Sequence, residues 1–181
     1  MGEPTTHHLH APVSDDQIKL LHAGDRVILN GKIYVARDAA HKRFAQEMPL
    51  NLKGQILYYA SPTPTPEGHV IGSIGPTTAS RMDAFTPALL AKGLKITIGK
   101  GYRSQPVKDA LKQNTAAYLM VAGGTAAYYE KFVKSKKVVG FEDLGPEAVL
   151  ELEVENFPAI VAVDCYGGDV FALGKKKYHE D

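Results

Sequence analysis

At 181 residues the chain is long enough for one well-buried core, and a second domain would need a visible linker, which the sequence does not offer. With 44% hydrophobic and 23% charged residues and a formal net charge of +1, it has no bulk electrostatic reason to seek nucleic acid or an anionic membrane, so any cationic site has to be local. Its single cysteine, Cys165, excludes an internal disulfide and any cluster or zinc site built from several thiolates of this chain.

The opening "MGEPTTHHLHAPVSDD" lacks the basic-then-apolar order of a secretory signal, and no apolar run approaches the roughly 18 residues that cross a bilayer, so a cytoplasmic protein is expected. Residues 1–13 read as a flexible arm. His7, His8 and His10 have no partners at a metal-ligand spacing there. The domain is expected over residues 14–181, starting where Ser14 stands three residues ahead of Gln17 as a capping box, with Gly24 as the stop. Two β-rich runs about Asn30-Gly31 predict a hairpin with a type I′ turn. The second run leads straight into "ARDAAHKRFAQEM", a helix whose junction carries Arg37 and Asp38 where first-turn amides are exposed.

From Gln55 the sequence predicts a buried strand, a Pro-rich loop, a short Val/Ile strand, a turn at Gly75-Pro76 and a helix ending near Gly93. Beyond it come a strand in "LKITIGKG", a helix in "PVKDALKQN", a strand in "AAYLMVAGG", a helix in "TAAYYEKFVKS", and strands in "KKVVGFED", "AVLELEVEN" and "PAIVAVDC". A β-rich start followed by strand–helix alternation argues for an α/β domain in layers, with a mixed sheet or two packed sheets.

Three cations stand where backbone geometry would fix them: Arg37 after "YVA", Arg81 after "GPTTAS" and Lys100 in "TIGKG". Each lies at a strand end or a helix start, the places where α/β layers bind ligands. Separated guanidinium and ammonium groups suit a small dicarboxylate, which Arg meets bidentately and Lys as a point charge. The hydroxyls of Thr77 and Thr78 stand four and three residues before Arg81, near enough to share its ligand, though an N-cap role accounts for them as well. Gly123 and Gly124 lack the full spacing of a phosphate loop and read as close strand–helix packing. His41, one turn after Arg37, is expected at the surface of a short helix, and Cys165 reads as a small buried residue. Tyr58, Tyr59, Tyr128 and Tyr129 read as core or rim aromatics.

In order, "GKIYVARDAAHKRF", "LKGQILYYASPTP", "IGSIGPTTASRMDAFTP", "ITIGKG", "YLMVAGGTAAYYEK" and "FPAIVAVDCYGGD" resemble the β subunit, or C-terminal domain, of class I iron–sulfur fumarases and L-tartrate dehydratases. The resemblance covers nearly the whole chain after the first residues. It implies a single swivelling β/β/α domain that closes over a site carried mainly by an α subunit, as a hetero-oligomer, with homodimers open to the isolated chain. That α subunit would hold a [4Fe-4S] cluster acting as a Lewis acid on the substrate, fumarate/malate or tartrate, and this chain would bind no metal. Carried over residue by residue, Arg37, Arg81 and Lys100 correspond to the substrate-carboxylate contacts and Thr77 to the proposed general base. Ser61 stands where the family commonly has Gly.

Overall fold

The computed structural model describes residues 3–178. Its strands and α-helices are β1 (Thr6–His10), α1 (Asp15–Lys19), β2 (Arg26–Val35), α2 (Asp38–Phe44), β3 (Ile56–Tyr58), β4 (Ala60–Pro62), β5 (Ile74–Pro76), α3 (Thr86–Ala91), β6 (Ile96–Gly99), α4 (Gln105–Gln113), β7 (Ala117–Met120), α5 (Ala126–Tyr129), β8 (Val133–Gly140), β9 (Val149–Val163) and α6 (Val170–Tyr178). The sheet is mixed. β1–β2, β2–β3, β3–β6 and β6–β7 pair in parallel, whereas β9 pairs antiparallel with β7, β8 and β2.

The 15 residues of β9 determine the architecture. One of its edges runs along β2 from Ile160 opposite Arg26 to Leu150 opposite Val35, and the other is shared between β7 and β8. The ladders β2–β3–β6–β7–β9–β2 therefore form a ring, with β1 and β8 outside it. Side chains alternate along the parallel strands, so each faces two cores. Ile56, Tyr58, Ile96, Ile98, Ala117 and Leu119 meet residues of β9 such as Leu152, Phe157 and Val161. Leu57, Tyr59 and Tyr118 point the other way, into a core formed with the buried faces of α2, α3 and α4. The mixed sheet thus carries two cores, one of them shared with the helices, each large buried side chain contributing about 1.5–3 kcal/mol.

Several local expectations hold. Ser14 and Gln17 form a capping box at α1, and Arg37 is the N-cap of α2 with an extended backbone. The hairpin at Asn30-Gly31 does not form. Arg26–Val35 is one strand whose alternation of buried and open residues continues through the dipeptide, and both halves pair with β9. Gly31 (φ +87°) instead marks a bulge, where an added Cβ would lie 2.7 Å from the His10 ring. Across it Asn156, also left-handed at φ +57°, donates its backbone N–H to Asn30 Oδ1 at 2.9 Å.

The N-terminal arm is also corrected. Residues 6–10 add a parallel strand to β2, Leu9 enters the core, and His7 Nε2 lies 3.0 Å from Asp25 Oδ2. One buried leucine among polar residues is too weak a signal for an edge strand whose partner starts twenty residues later. Gly75-Pro76 belongs to β5, antiparallel to β4, and does not make a turn. The following helix is divided into a 3₁₀ segment, Ala79–Met82, and α3, which carries Pro87 in its first turn. "AVLELEVEN" and "PAIVAVDC" form a single strand, and α6 has no counterpart among the predicted elements.

Candidate active site at the strand ends

The carboxyl ends of β2, β3 and β6 converge, and the backbone fixes the predicted residues there. Ala36 N–H donates to the Tyr58 carbonyl at 3.1 Å, placing Arg37 beside the end of β3. Thr77 N–H donates to the Tyr59 carbonyl at 2.8 Å, Lys100 N–H to the Thr77 carbonyl at 3.2 Å, and Ala79 N–H to the Lys100 carbonyl at 2.9 Å. Thr77 and Lys100 are thereby adjacent although they come from different loops. Gly99 permits this approach, since a Cβ there would lie 2.9 Å from Ala79 Cβ and 3.2 Å from Tyr59 Cδ2.

The two arginines meet through a carboxylate. Arg37 Nε donates to Asp38 Oδ2 at 3.3 Å and Arg81 Nε to Asp38 Oδ1 at 2.8 Å. Arg81 Nη1 also lies 3.5 Å from Thr77 Oγ1. The Arg37 and Asp38 side chains are 26% and 24% exposed and that of Arg81 is 50% exposed, so the group is open to ligands on one side. Burial raises the Asp38 pKa, but its own backbone N–H and the two guanidiniums outweigh that and hold the carboxyl below its ordinary value. Thr78 is exposed and makes no side-chain cap, so of the two threonines Thr77 is the one that meets Arg81.

The first turn of α2 is not free for an anion. Glu147 accepts from Ala39 N–H at 2.9 Å and stands 3.5 Å from Arg37 Nε. Its segment is tethered by Ser61, whose hydroxyl donates to the Pro146 carbonyl at 2.6 Å. Lys100 turns its ammonium over the loop after β7, where a Cβ on Gly123 would lie 3.5 Å from Nζ. Gly75 packs against Ala126 at the start of α5, with 2.9 Å between an added Cβ and Ala126 Cβ. Gly123 and Gly124 are exposed, and a Cβ on Gly124 (φ +78°) would meet nothing within 4 Å, so the close strand–helix packing expected of these two glycines is not found.

His41 is fully buried, contrary to the surface position expected of it. Its Nδ1 lies 2.8 Å from the Arg37 carbonyl, which can only accept, so Nδ1 carries the proton. Nε2 is enclosed without a partner, among the rings of Phe44, Tyr59 and Phe85. Burial lowers its pKa to about 4 and keeps the ring neutral. Cys165 is buried, and burial, with Asp164 next to it, raises its thiol pKa. Among the described residues no group of three or more His, Cys, Asp or Glu is arranged to hold a metal ion, and one cysteine cannot supply the thiolates of a cluster. The residues of this chain do not fit a [4Fe-4S] site.

Sequence reading overlooked the support beneath these groups. Arg103, fully buried, donates from Nε to Asp83 Oδ1 at 2.7 Å, from Nη1 to Thr97 Oγ1 at 3.1 Å and from Nη2 to Thr86 Oγ1 at 2.7 Å. It stacks on Tyr59 and Tyr118, 5.3 and 4.9 Å from the ring centroids. Asp83 Oδ2 accepts from Ser104 N–H at 2.7 Å. This network ties β6, α3 and the 3₁₀ segment bearing Arg81 to the tyrosine whose carbonyl holds Thr77. "RMD" and "GYRS" each carry half of it, but nothing local relates the two.

Residues 3–174 match the family model described as fumarase C-terminus. The chain is 41% identical over 180 residues to the class I aerobic fumarate hydratase of Escherichia coli (strain K12), covering 94% of this chain and 33% of that protein. It is 42% identical over 164 residues to fumarate hydratase 2 of Leishmania major, covering 86% of this chain and 29% of that protein. A protein of Methanocaldococcus jannaschii assigned as an L(+)-tartrate dehydratase subunit β is 38% identical over 175 residues, with 90% of both chains covered. The chain thus spans about a third of the fumarate hydratases and nearly the whole of the β subunit.

Proposed function

The chain belongs to the fumarase C-terminus family, and from that premise we propose that it is the β subunit of an iron–sulfur hydro-lyase of the class I fumarase type. It hydrates fumarate reversibly to L-malate, in the cytoplasm, together with an α subunit that carries the [4Fe-4S] cluster. The domain swivels to bring its cationic end against that partner. The observation that carries this reading is the convergence of Arg37, Arg81, Thr77 and the Lys100 backbone at one set of strand ends, with Asp38 spanning the two guanidiniums.

The chemistry follows from the residues. Removing a proton next to a carboxylate builds negative charge on that carboxylate, so fixed cations stabilise the transition state more than the ground state. Each guanidinium meets Asp38 through Nε, which leaves its terminal nitrogens for substrate. A threonine hydroxyl is a weak base unless cations stabilise its alkoxide, and Arg81 Nη1 stands 3.5 Å from Thr77 Oγ1.

The 90% coverage of the M. jannaschii protein supports a second reading, the β subunit of an L-tartrate dehydratase. A non-catalytic dicarboxylate-binding module is the reading from another class. Anaerobic co-expression with a Cys-rich α chain, followed by assays on fumarate, malate, mesaconate and both tartrates, separates the three. Hydration of fumarate is the expected result, turnover of tartrate alone selects the second reading, and no turnover selects the third. Thr77→Ala is expected to lower kcat with little change in substrate affinity; weakened binding at full kcat would make Thr77 a positioning group.

A further inference from the structure

We propose that Asp38 is a positioning residue that holds the guanidiniums of Arg37 and Arg81 apart, in the orientation a developing dianionic transition state requires. The role rests on the hydro-lyase reading above. One carboxylate serves both arginines, each oxygen taking one Nε–H, at 3.3 Å for Arg37 and 2.8 Å for Arg81. Arg37 is the N-cap of α2 and Asp38 its first residue, so the carboxylate is set by the helix, while Arg81 reaches it from the 3₁₀ segment after β5. Glu147 Oε1 stands 3.5 Å from the same Arg37 Nε. Among the described side chains, Asp38 is the one that hydrogen-bonds both arginines.

The kinetic signature differs from that of a substrate contact. Removing Asp38 subtracts a negative charge next to the site, which strengthens attraction for a dianion, and frees both guanidiniums to follow the ground-state carboxylates. In KM these gains are offset by the entropy lost when the freed guanidiniums are ordered on binding. In kcat, loss of preorganisation dominates, because flexible donors must be reordered as charge develops.

The test uses Asp38→Ala and Asp38→Asn in the full chain, alone and assembled anaerobically with the cluster-bearing α subunit, with fumarate as the probe. In the chain alone, the Nε–H resonances of Arg37 and Arg81 are followed by ¹⁵N NMR; both are expected to pass into fast solvent exchange in Asp38→Ala, while Asp38→Asn, which keeps one acceptor oxygen, retains one. In the assembled enzyme kcat is expected to fall about 100-fold in Asp38→Ala, with KM raised by no more than about 3-fold. A purely structural residue would lower the melting temperature and leave that split unmoved. Persistence of both resonances in Asp38→Ala, or kcat within about 3-fold of the parent, overturns the proposal. If the parent assembly turns over no dicarboxylate, the functional reading falls and this role with it. Failure of the role alone is recognised by a working parent.

Discussion

Arg103→Met would remove the guanidinium from beneath the site while keeping most of its volume. The parent side chain is 0% exposed and supplies three donors, to Asp83, Thr97 and Thr86. Its loss leaves Asp83, 12% exposed, with Ser104 N–H as its remaining donor, and strips two buried threonine hydroxyls of a partner. Breaking one side of a buried ion pair costs about 3–5 kcal/mol, a large part of the roughly 5–15 kcal/mol that stabilises a domain. With a urea m-value of about 2 kcal/mol/M, the unfolding midpoint should drop by about 2 M. Urea titrations followed by far-UV circular dichroism would measure it. Arg103→Met/Asp83→Leu should recover most of the loss, since replacing both halves removes the stranded charge. A loss below about 1 kcal/mol at unchanged m, or a double variant no better than the single one, would refute the reasoning.

His41 makes stability fall between pH 6.5 and about 4, because its pKa drops from 6.5 to about 4 on folding and the unfolded chain takes up the proton first. The loss is on the order of 3 kcal/mol by the lower end of that window, read as a shift of denaturation midpoint, and His41→Phe should flatten the profile there. Asp38 acts lower: its folded pKa lies under 3.8, so its contribution is complete above that value and disappears as pH falls further. Gly99→Ala should drive Ala79 away from Lys100 and destabilise by about 1–3 kcal/mol, with a fall in kcat of the assembled enzyme as a second measurement. Cys165 should resist a disulfide reagent in the native chain at neutral pH and react once the chain is unfolded.

The cationic residues were legible because each sits beside a local landmark: Arg37 at a strand-to-helix change, Arg81 after "GPTTAS", Lys100 between two glycines. What joins them was not. Asp38 was visible as a neighbour of Arg37, but its contact with Arg81 spans 43 positions, and Glu147 reaches Ala39 across 108. Asn30-Gly31 misled because the same dipeptide serves a tight turn and a bulge. The distinguishing fact is the long β9 strand, which offers partners to both halves. His41 misled for a related reason. A short helix shows its polar residues to water unless another element covers it, and here Phe85 and Tyr59 do.

The ring of ladders carries a consequence for how the chain is made. β2 cannot meet its antiparallel partner until β9 exists, since Arg26 pairs with Ile160 and Val35 with Leu150, more than a hundred residues later. At about 5–20 residues per second of synthesis, the nascent chain waits several seconds or longer with the apolar face of β2 uncovered. Pairing over such a separation is slow even in the finished chain. Newly made protein is therefore a natural client for chaperones. Shortening the chain before residue 163 should leave an insoluble product rather than a smaller folded one.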